Sequence, residues 1–180
     1  EFVRALAANG DLYVNDAFSA AHRAHASTEG LAHVLPAYAG RTMQAELEAL
    51  SAGLDSPARP VTAIVGGAKV SGKLEVIENL LDKVDKLLIG GGMAYTFMKA
   101  MGLNIGTSLC EDDLLDTAKT ILEKAKAQGV KLYLPVDGSV VKEVAAEAPF
   151  VFKSVQEFCD DDKGVDIGPA TRQLYAEVLS

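Results

Sequence analysis

The sequence predicts an α/β protein: a Rossmann-like, open, mainly parallel sheet in three α/β/α layers. Three observations predict it. From residue 61 onward, short β-branched runs alternate with segments of helical periodicity, the pattern of βαβ units joined by right-handed crossovers. Two of those runs, 61–65 and 86–89, each empty into a glycine cluster, Gly66–Gly67 and Gly90–Gly92. Neighbouring parallel strands deliver their C-terminal ends to one sheet edge, so both glycine turns are expected to open on one crevice.

In chain order, residues 2–8 read as a helix closed by Asn9 and Gly10 as a left-handed cap, followed by a short strand at 12–14. The polar loop NDAFSAAHRAHAST comes next, placed where strand ends tend to build sites. In it, His22 and His25 stand at a spacing that a metal on a helix would use, although no third ligand with comparable spacing accompanies them. Arg23 between them is either a fork for a phosphate or carboxylate, or a surface cation paired with Asp16 or Glu29. Met43, Leu47, Leu50 and Leu54 make 41–54 an amphipathic helix. The SPARP stretch at 56–60 cannot continue it and reads as a domain boundary or hinge.

Helices are expected at 73–84, where Leu74, Ile77, Leu81 and Val84 share a side, at 93–102, and at 113–127, closed by Gly129. A strand at 130–134 is broken by Pro135, with Asp137 just past its end. Beyond it, 140–146 reads as a helix, 150–155 as a strand and EFCDDDKG as a solvated acidic turn. DIGPAT leads into a last helix from Arg172, its proline suited to a helix start.

The chemistry is concentrated in VTAIVGGAKVSGK, residues 61–73. A strand, a glycine turn and a helix start collect backbone N–H groups and the positive end of a helix dipole at one point, where an anion docks readily. Lys69 and Lys73 add two mobile ammonium groups there, which suits a polyphosphate. From Gly67 the letters GAKVSGKL fit GxxxxGK, but Leu74 stands where a Walker loop needs Ser or Thr to hold magnesium. The turn is therefore either a different phosphate cradle of similar outline or a plain βα turn with solvated lysines.

The 180 residues carry a formal net charge of −8, so no basic face exists at the scale needed for broad nucleic-acid or anionic-membrane binding. Cys110 and Cys159 lie far apart without a CxxC pattern and read as free thiols of a cytoplasmic protein. No apolar run is long enough to span a bilayer and EFVRALAANG lacks the regions of a signal peptide. Both ends fall within helical patterns, so the chain is expected to be a piece of a longer one.

Taken in order, DLYVNDAFSAAHRAH, GGAKVSGK, LLIGGGMAYTF, IGTSL, LPVD and DIGP make the chain resemble the phosphoglycerate kinase family along essentially its whole length. The resemblance implies two domains joined by a hinge. Residues 1–40 would end an N-terminal domain that binds 3-phosphoglycerate or 1,3-bisphosphoglycerate. Residues 41–60 would be the interdomain helix and hinge, and 61–180 most of a C-terminal domain that binds ADP or ATP with Mg2+. The first of these is the part of a second α/β domain. It further implies that His22 and Arg23 bind the phosphoglycerate, that Lys69 follows the moving phosphoryl group as a catalytic residue with Arg23, and that Lys73 binds nucleotide phosphates. Gly67, Ala68, Gly91, Gly92, Leu109 and Gly168 would surround the nucleotide, with Leu109 against the adenine, and no residue is assigned as a metal ligand. A cytoplasmic monomer acting on small molecules, without nucleic-acid or membrane partners, is expected. The family's opening segment and its WNGP and GGGDT stretches are missing, so the chain alone is expected to bind nucleotide weakly, if at all, and to transfer almost no phosphate. A non-catalytic nucleotide-binding module and a folding fragment are the rival readings.

Overall fold

A computed structural model describes residues 1–55 and 57–180; Ser56, the first residue of the expected hinge, lies outside the described residues. The chain divides into two compact units, Glu1–Ala58 and Arg59–Ser180.

In the first unit, helix α1 (Phe2–Ala7) ends on Ala8 in right-handed geometry, and no left-handed residue follows. The expected glycine cap is thus replaced by a side-chain one: the Asn9 amide donates to the carbonyls of Ala5 and Leu6 at 3.1 and 3.0 Å. Strand β1 (Tyr13–Asn15) pairs in parallel with β2 (Ala37–Ala39). Just past β1, the Asp16 carboxylate accepts the Met43 amide at 2.9 Å. It thereby caps helix α2 (Arg41–Leu54), whose N-cap Gly40 has no side chain to do so. Met43 is the helix's buried residue, whereas Leu47, Leu50 and Leu54 are exposed.

The second unit contains the parallel sheet. Strands β3 (Thr62–Gly66), β4 (Lys86–Gly90) and β5 (Lys131–Tyr133) run in that order, with Gly66 opposite Gly90. Leu87, Leu88 and Ile89 are fully buried, as expected of a strand covered on both faces. Helices α3 (Leu74–Leu81), α4 (Met93–Ala100) and α5 (Leu115–Gln128) form the crossovers. Ile77, Phe97, Met98 and Ile121 from these helices join Leu87 and Ile89 in one core. Gly129 closes α5 in left-handed geometry at φ 75°, as its position predicted.

The stretch 140–146, expected as a helix, instead continues strand β6 (Asp137–Val141) and then turns. β6 is the centre of an antiparallel sheet, between β7 (Val151–Ser154) and β8 (Lys163–Ile167), a strand the sequence reading missed. Val140 and Val141 are apolar neighbours that fit either period, and only the non-local pairing decides between them. Helix α6 (Pro169–Leu179) starts with proline in its first turn and packs back on the parallel sheet, where the Tyr175 hydroxyl donates to the Ile89 carbonyl at 2.7 Å.

The acidic turn is also not what its composition suggested. Asp162 is fully buried and binds the ammonium groups of Lys142 and Lys153 at 2.8 and 2.7 Å and the Cys159 amide at 2.7 Å. Burial works to raise its carboxyl, but the Cys159 amide and the two lysines outweigh burial and hold it well below the ordinary 3.8. A carboxyl depressed in the folded state contributes stability that is present above its unfolded value and lost as pH falls through the folded one. Asp162→Asn is therefore expected to lower the thermal midpoint at neutral pH and to flatten its decline on acidification below about pH 4. Thermal melts across pH 3–7 check both, and parallel acid limbs in the two proteins would contradict them.

Candidate nucleotide site

The two glycine corners meet because β3 and β4 end in register. Gly67 leaves β3 at φ 150° and Gly91 leaves β4 at φ 69°, both in the region that favours glycine. A Cβ at Gly91 would lie 2.7 Å from the Gly67 carbonyl oxygen and 2.8 Å from its nitrogen, so any side chain there would separate the turns. The Met93 amide donates to that same carbonyl at 2.9 Å, which joins the start of α4 to the first corner. A Cβ on Gly92 would touch Leu109 at 2.9 Å and the Ala68 carbonyl at 3.3 Å. Gly67, Ala68, Gly91, Gly92 and Leu109 are thus brought together by backbone approach that only small residues permit.

Beside them lies a cavity of about 340 Å³, into which Ala68, Gly91, Gly92 and Leu109 face together with Tyr95 and Asp137. Its wall is mostly apolar, with a few polar groups, the usual make-up of a small-molecule cleft. Tyr95 is buried, and burial pushes its hydroxyl up to about 12, so it stays protonated. The hydroxyl fills the space where a side chain on Gly164 would go, which explains the glycine inside β8. Neither Tyr95 nor Gly164 carried a signal in the sequence; Asp137 had one, its place just beyond β5.

Gly168 does not line the cavity. It is the N-cap of α6, and a side chain there would run into the Asp137 carboxylate. That carboxylate accepts the amides of Ala170 and Thr171 at 2.9 and 2.8 Å and the Thr171 hydroxyl at 2.5 Å. Burial opposes its ionisation, but the Thr171 hydroxyl and these amides prevail and hold its carboxyl below the ordinary range. Asp137 therefore fixes the end of β8 and the start of α6 against the cavity.

Lys69 is exposed and Lys73 half-buried, with the Lys73 Cε 3.6 Å from the place a Gly67 Cβ would occupy. Among the described residues neither lysine makes an ion pair. Helix α3 starts at Leu74, one residue later than the sequence suggested, and Lys73 is its N-cap. The amides of Val70 and Ser71 are occupied: both donate to the Glu111 carboxylate, a partner nothing in the sequence announced.

In the first unit, His22 and Arg23 are exposed between a 3-10 turn (Phe18–Ala20) and a π-helical turn (Ala26–Gly30). The Arg23 carbonyl accepts the His25 amide at 2.9 Å and the Thr28 hydroxyl at 2.6 Å, which fixes the backbone of the loop. The surface-pair reading of Arg23 fails, since Asp16 caps α2 and Glu29 binds His33 at 2.7 Å. Among the described residues no cluster of three or more His, Cys, Asp or Glu side chains could hold a metal. Among the described residues no helix is long and apolar enough to cross a membrane.

A sequence model of the phosphoglycerate kinase family matches residues 1–180. A phosphoglycerate kinase of Rhizobium meliloti is 59% identical over all 180 residues, and one of Xanthobacter autotrophicus is 60% identical over 179. The chain spans 45% of the length of each of these curated relatives. A solved phosphoglycerate kinase from Coxiella burnetii superposes on 98% of the chain with a TM-score of 0.88 at 45% identity, and the chain covers 46% of it. The Pyrococcus horikoshii OT3 enzyme superposes with a TM-score of 0.80 at 30% identity, again over 98% of the chain and 45% of its own length.

The meeting of the two corners leads to one prediction here. Gly91→Ala must place a Cβ against the Gly67 backbone at positive φ and is expected to lower unfolding free energy by at least about 2 kcal/mol. Urea denaturation followed by circular dichroism measures it; an unchanged midpoint would mean that the corners do not touch.

Proposed function

As the chain belongs to the phosphoglycerate kinase family, we propose that it forms the nucleotide-binding part, and a portion of the phosphoglycerate-binding part, of an enzyme for reversible phosphoryl transfer. In that reaction 1,3-bisphosphoglycerate and Mg2+·ADP give 3-phosphoglycerate and Mg2+·ATP. Residues 1–40 belong on this reading to the phosphoglycerate domain, 41–60 to the connecting helix and hinge, and 61–180 to the nucleotide domain. The magnesium arrives as part of the nucleotide substrate.

One observation carries the reading: two glycine corners share a mouth at one sheet edge, with two lysines that make no ion pair among the described residues and an adjacent apolar cavity. The cavity offers Leu109 and Gly92 to a flat base, while Gly67, Ala68 and Lys73 lie on the side where the phosphates would be received. Phosphoryl transfer asks little covalent chemistry of a protein; it asks for two anions in line and for neutralised charge on the equatorial oxygens. Lys69 supplies a mobile ammonium for the moving group, and Lys73 holds the phosphates that stay. Arg23, with His22 beside it, supplies a planar fork suited to the phosphoglycerate's own anionic groups.

In an enzyme of the family's full length, Lys69→Ala is expected to lower kcat by roughly two to three decades while nucleotide affinity changes little. Steady-state kinetics together with ADP titration separate the two effects, and equal losses in both would contradict the role given to Lys69. The 180-residue chain by itself is expected to give no turnover above background in a coupled assay. Turnover at the rate of a full-length relative would overturn that assignment of labour.

A further inference from the structure

We propose that Glu111 is a positioning residue that holds the turn bearing Lys69 and Lys73 against helix α4, and so sets where a nucleotide's phosphates are received. The inference rests on the nucleotide reading above and adds to it a residue outside both glycine turns.

The carboxylate of Glu111 accepts the Val70 amide at 2.5 Å, the Ser71 amide at 3.1 Å and the Ser71 hydroxyl at 2.7 Å. Three donors on two adjacent residues leave that turn little freedom. Glu111 is itself anchored: its amide donates to the buried Thr96 hydroxyl at 3.2 Å, and the next residue, Asp112, pairs with Lys99 at 2.7 Å. Thr96 and Lys99 both belong to α4, the helix that begins at the second glycine corner. The brace therefore ties the turn after β3 to the helix after β4, on the side away from the strands.

The brace also divides the amides. Those of Val70 and Ser71, which would otherwise compete for an anion at the rear of the turn, are filled by Glu111. Those of Ala68 and Lys69 donate to no backbone carbonyl among the described residues. The carboxylate keeps its negative charge, which its three donors and the nearby Lys69 ammonium partly offset. The Ser71 hydroxyl, ahead of burial and helped by the two amides and the Lys69 ammonium, holds the Glu111 carboxyl below its ordinary range, so it stays ionised at neutral pH. An incoming phosphate is thereby directed to the forward amides and to the lysines.

The test compares an enzyme of the family's full length that contains this chain with its Glu111→Ala and Glu111→Gln variants, reading amide hydrogen exchange by NMR and the binding of Mg2+·ADP and of adenosine by calorimetry. Alanine is expected to speed exchange at Val70 and Ser71, and to weaken Mg2+·ADP binding, by about tenfold each, since charge-assisted bonds to two amides are lost. Exchange at Ile89 and the affinity for adenosine stay as they were, because the base end of the cavity does not depend on the carboxylate. Glutamine, which still accepts an amide proton, recovers the larger part of both losses. Unchanged exchange at Val70 and Ser71 in the alanine variant, or equal weakening of ADP and adenosine, would overturn the proposal. If the wild-type enzyme binds neither probe while the exchange differences persist, the brace stands and the nucleotide reading fails. Should the alanine variant not fold, the glutamine variant alone decides: exchange at Val70 and Ser71 faster than in the wild type, with exchange at Ile89 unchanged and Mg2+·ADP binding weakened alongside, supports the brace, and wild-type exchange at both amides with weakened ADP overturns it.

Discussion

The in-register parallel pairing of β3 with β4 is the constraint on which the site depends. Because Gly66 stands opposite Gly90, the chain leaves both strands at the same height. The next residue on each strand then has to turn without a side chain, or the two turns collide. The register in turn follows from burial: a strand carrying Leu87, Leu88 and Ile89 buries side chains on both faces, and a slip of one residue would exchange every one of them. Core packing and site geometry are therefore one problem in this unit. The hydrophobic contacts that place α3 and α4 also place the amides and lysines at their starts.

Electrostatics is handled locally. With a net charge of −8, the chain cannot draw anions by its overall field, and three carboxylates are engaged by donors of their own, while the exposed Asp166 at the cavity accepts the Ile167 amide. Asp137 binds the start of α6, Glu111 binds the turn after β3, and Asp162 binds two lysines and an amide below β6 and β8. All three are held ionised, so their charge is committed to structure. Lys69 and Lys73 are left without ion pairs among the described residues.

The parts of the fold legible in the sequence are those held by short-range rules. The strands that run into glycine, the apolar stripe of α3 and the glycine that ends α5 announce themselves through period and backbone preference. The region from residue 137 to 167 does not, because its sheet is antiparallel and paired across long separations. β8 reads KGVDI, with a glycine and two charges, and becomes a strand only because β6 supplies the ladder and Tyr95 takes the glycine's missing volume. The acidic turn misled for a related reason: three consecutive aspartates look solvated until Lys142 and Lys153 arrive from two other strands' ends. Of the site, glycines and lysines were visible because their roles are written in the backbone turn. Glu111 and Tyr95 act through neighbours remote in sequence, and such roles leave no local pattern; Asp137 was marked only by its place after β5.

The most direct measurement is a ¹H–¹⁵N correlation map of the chain titrated with Mg2+·ADP. The shared mouth at the sheet edge predicts that the largest shifts fall together on Gly67, Ala68, Gly91, Gly92 and Leu109, from two turns and a loop well separated in sequence. Shifts confined to one of the two glycine turns, or centred on residues outside both, would contradict it.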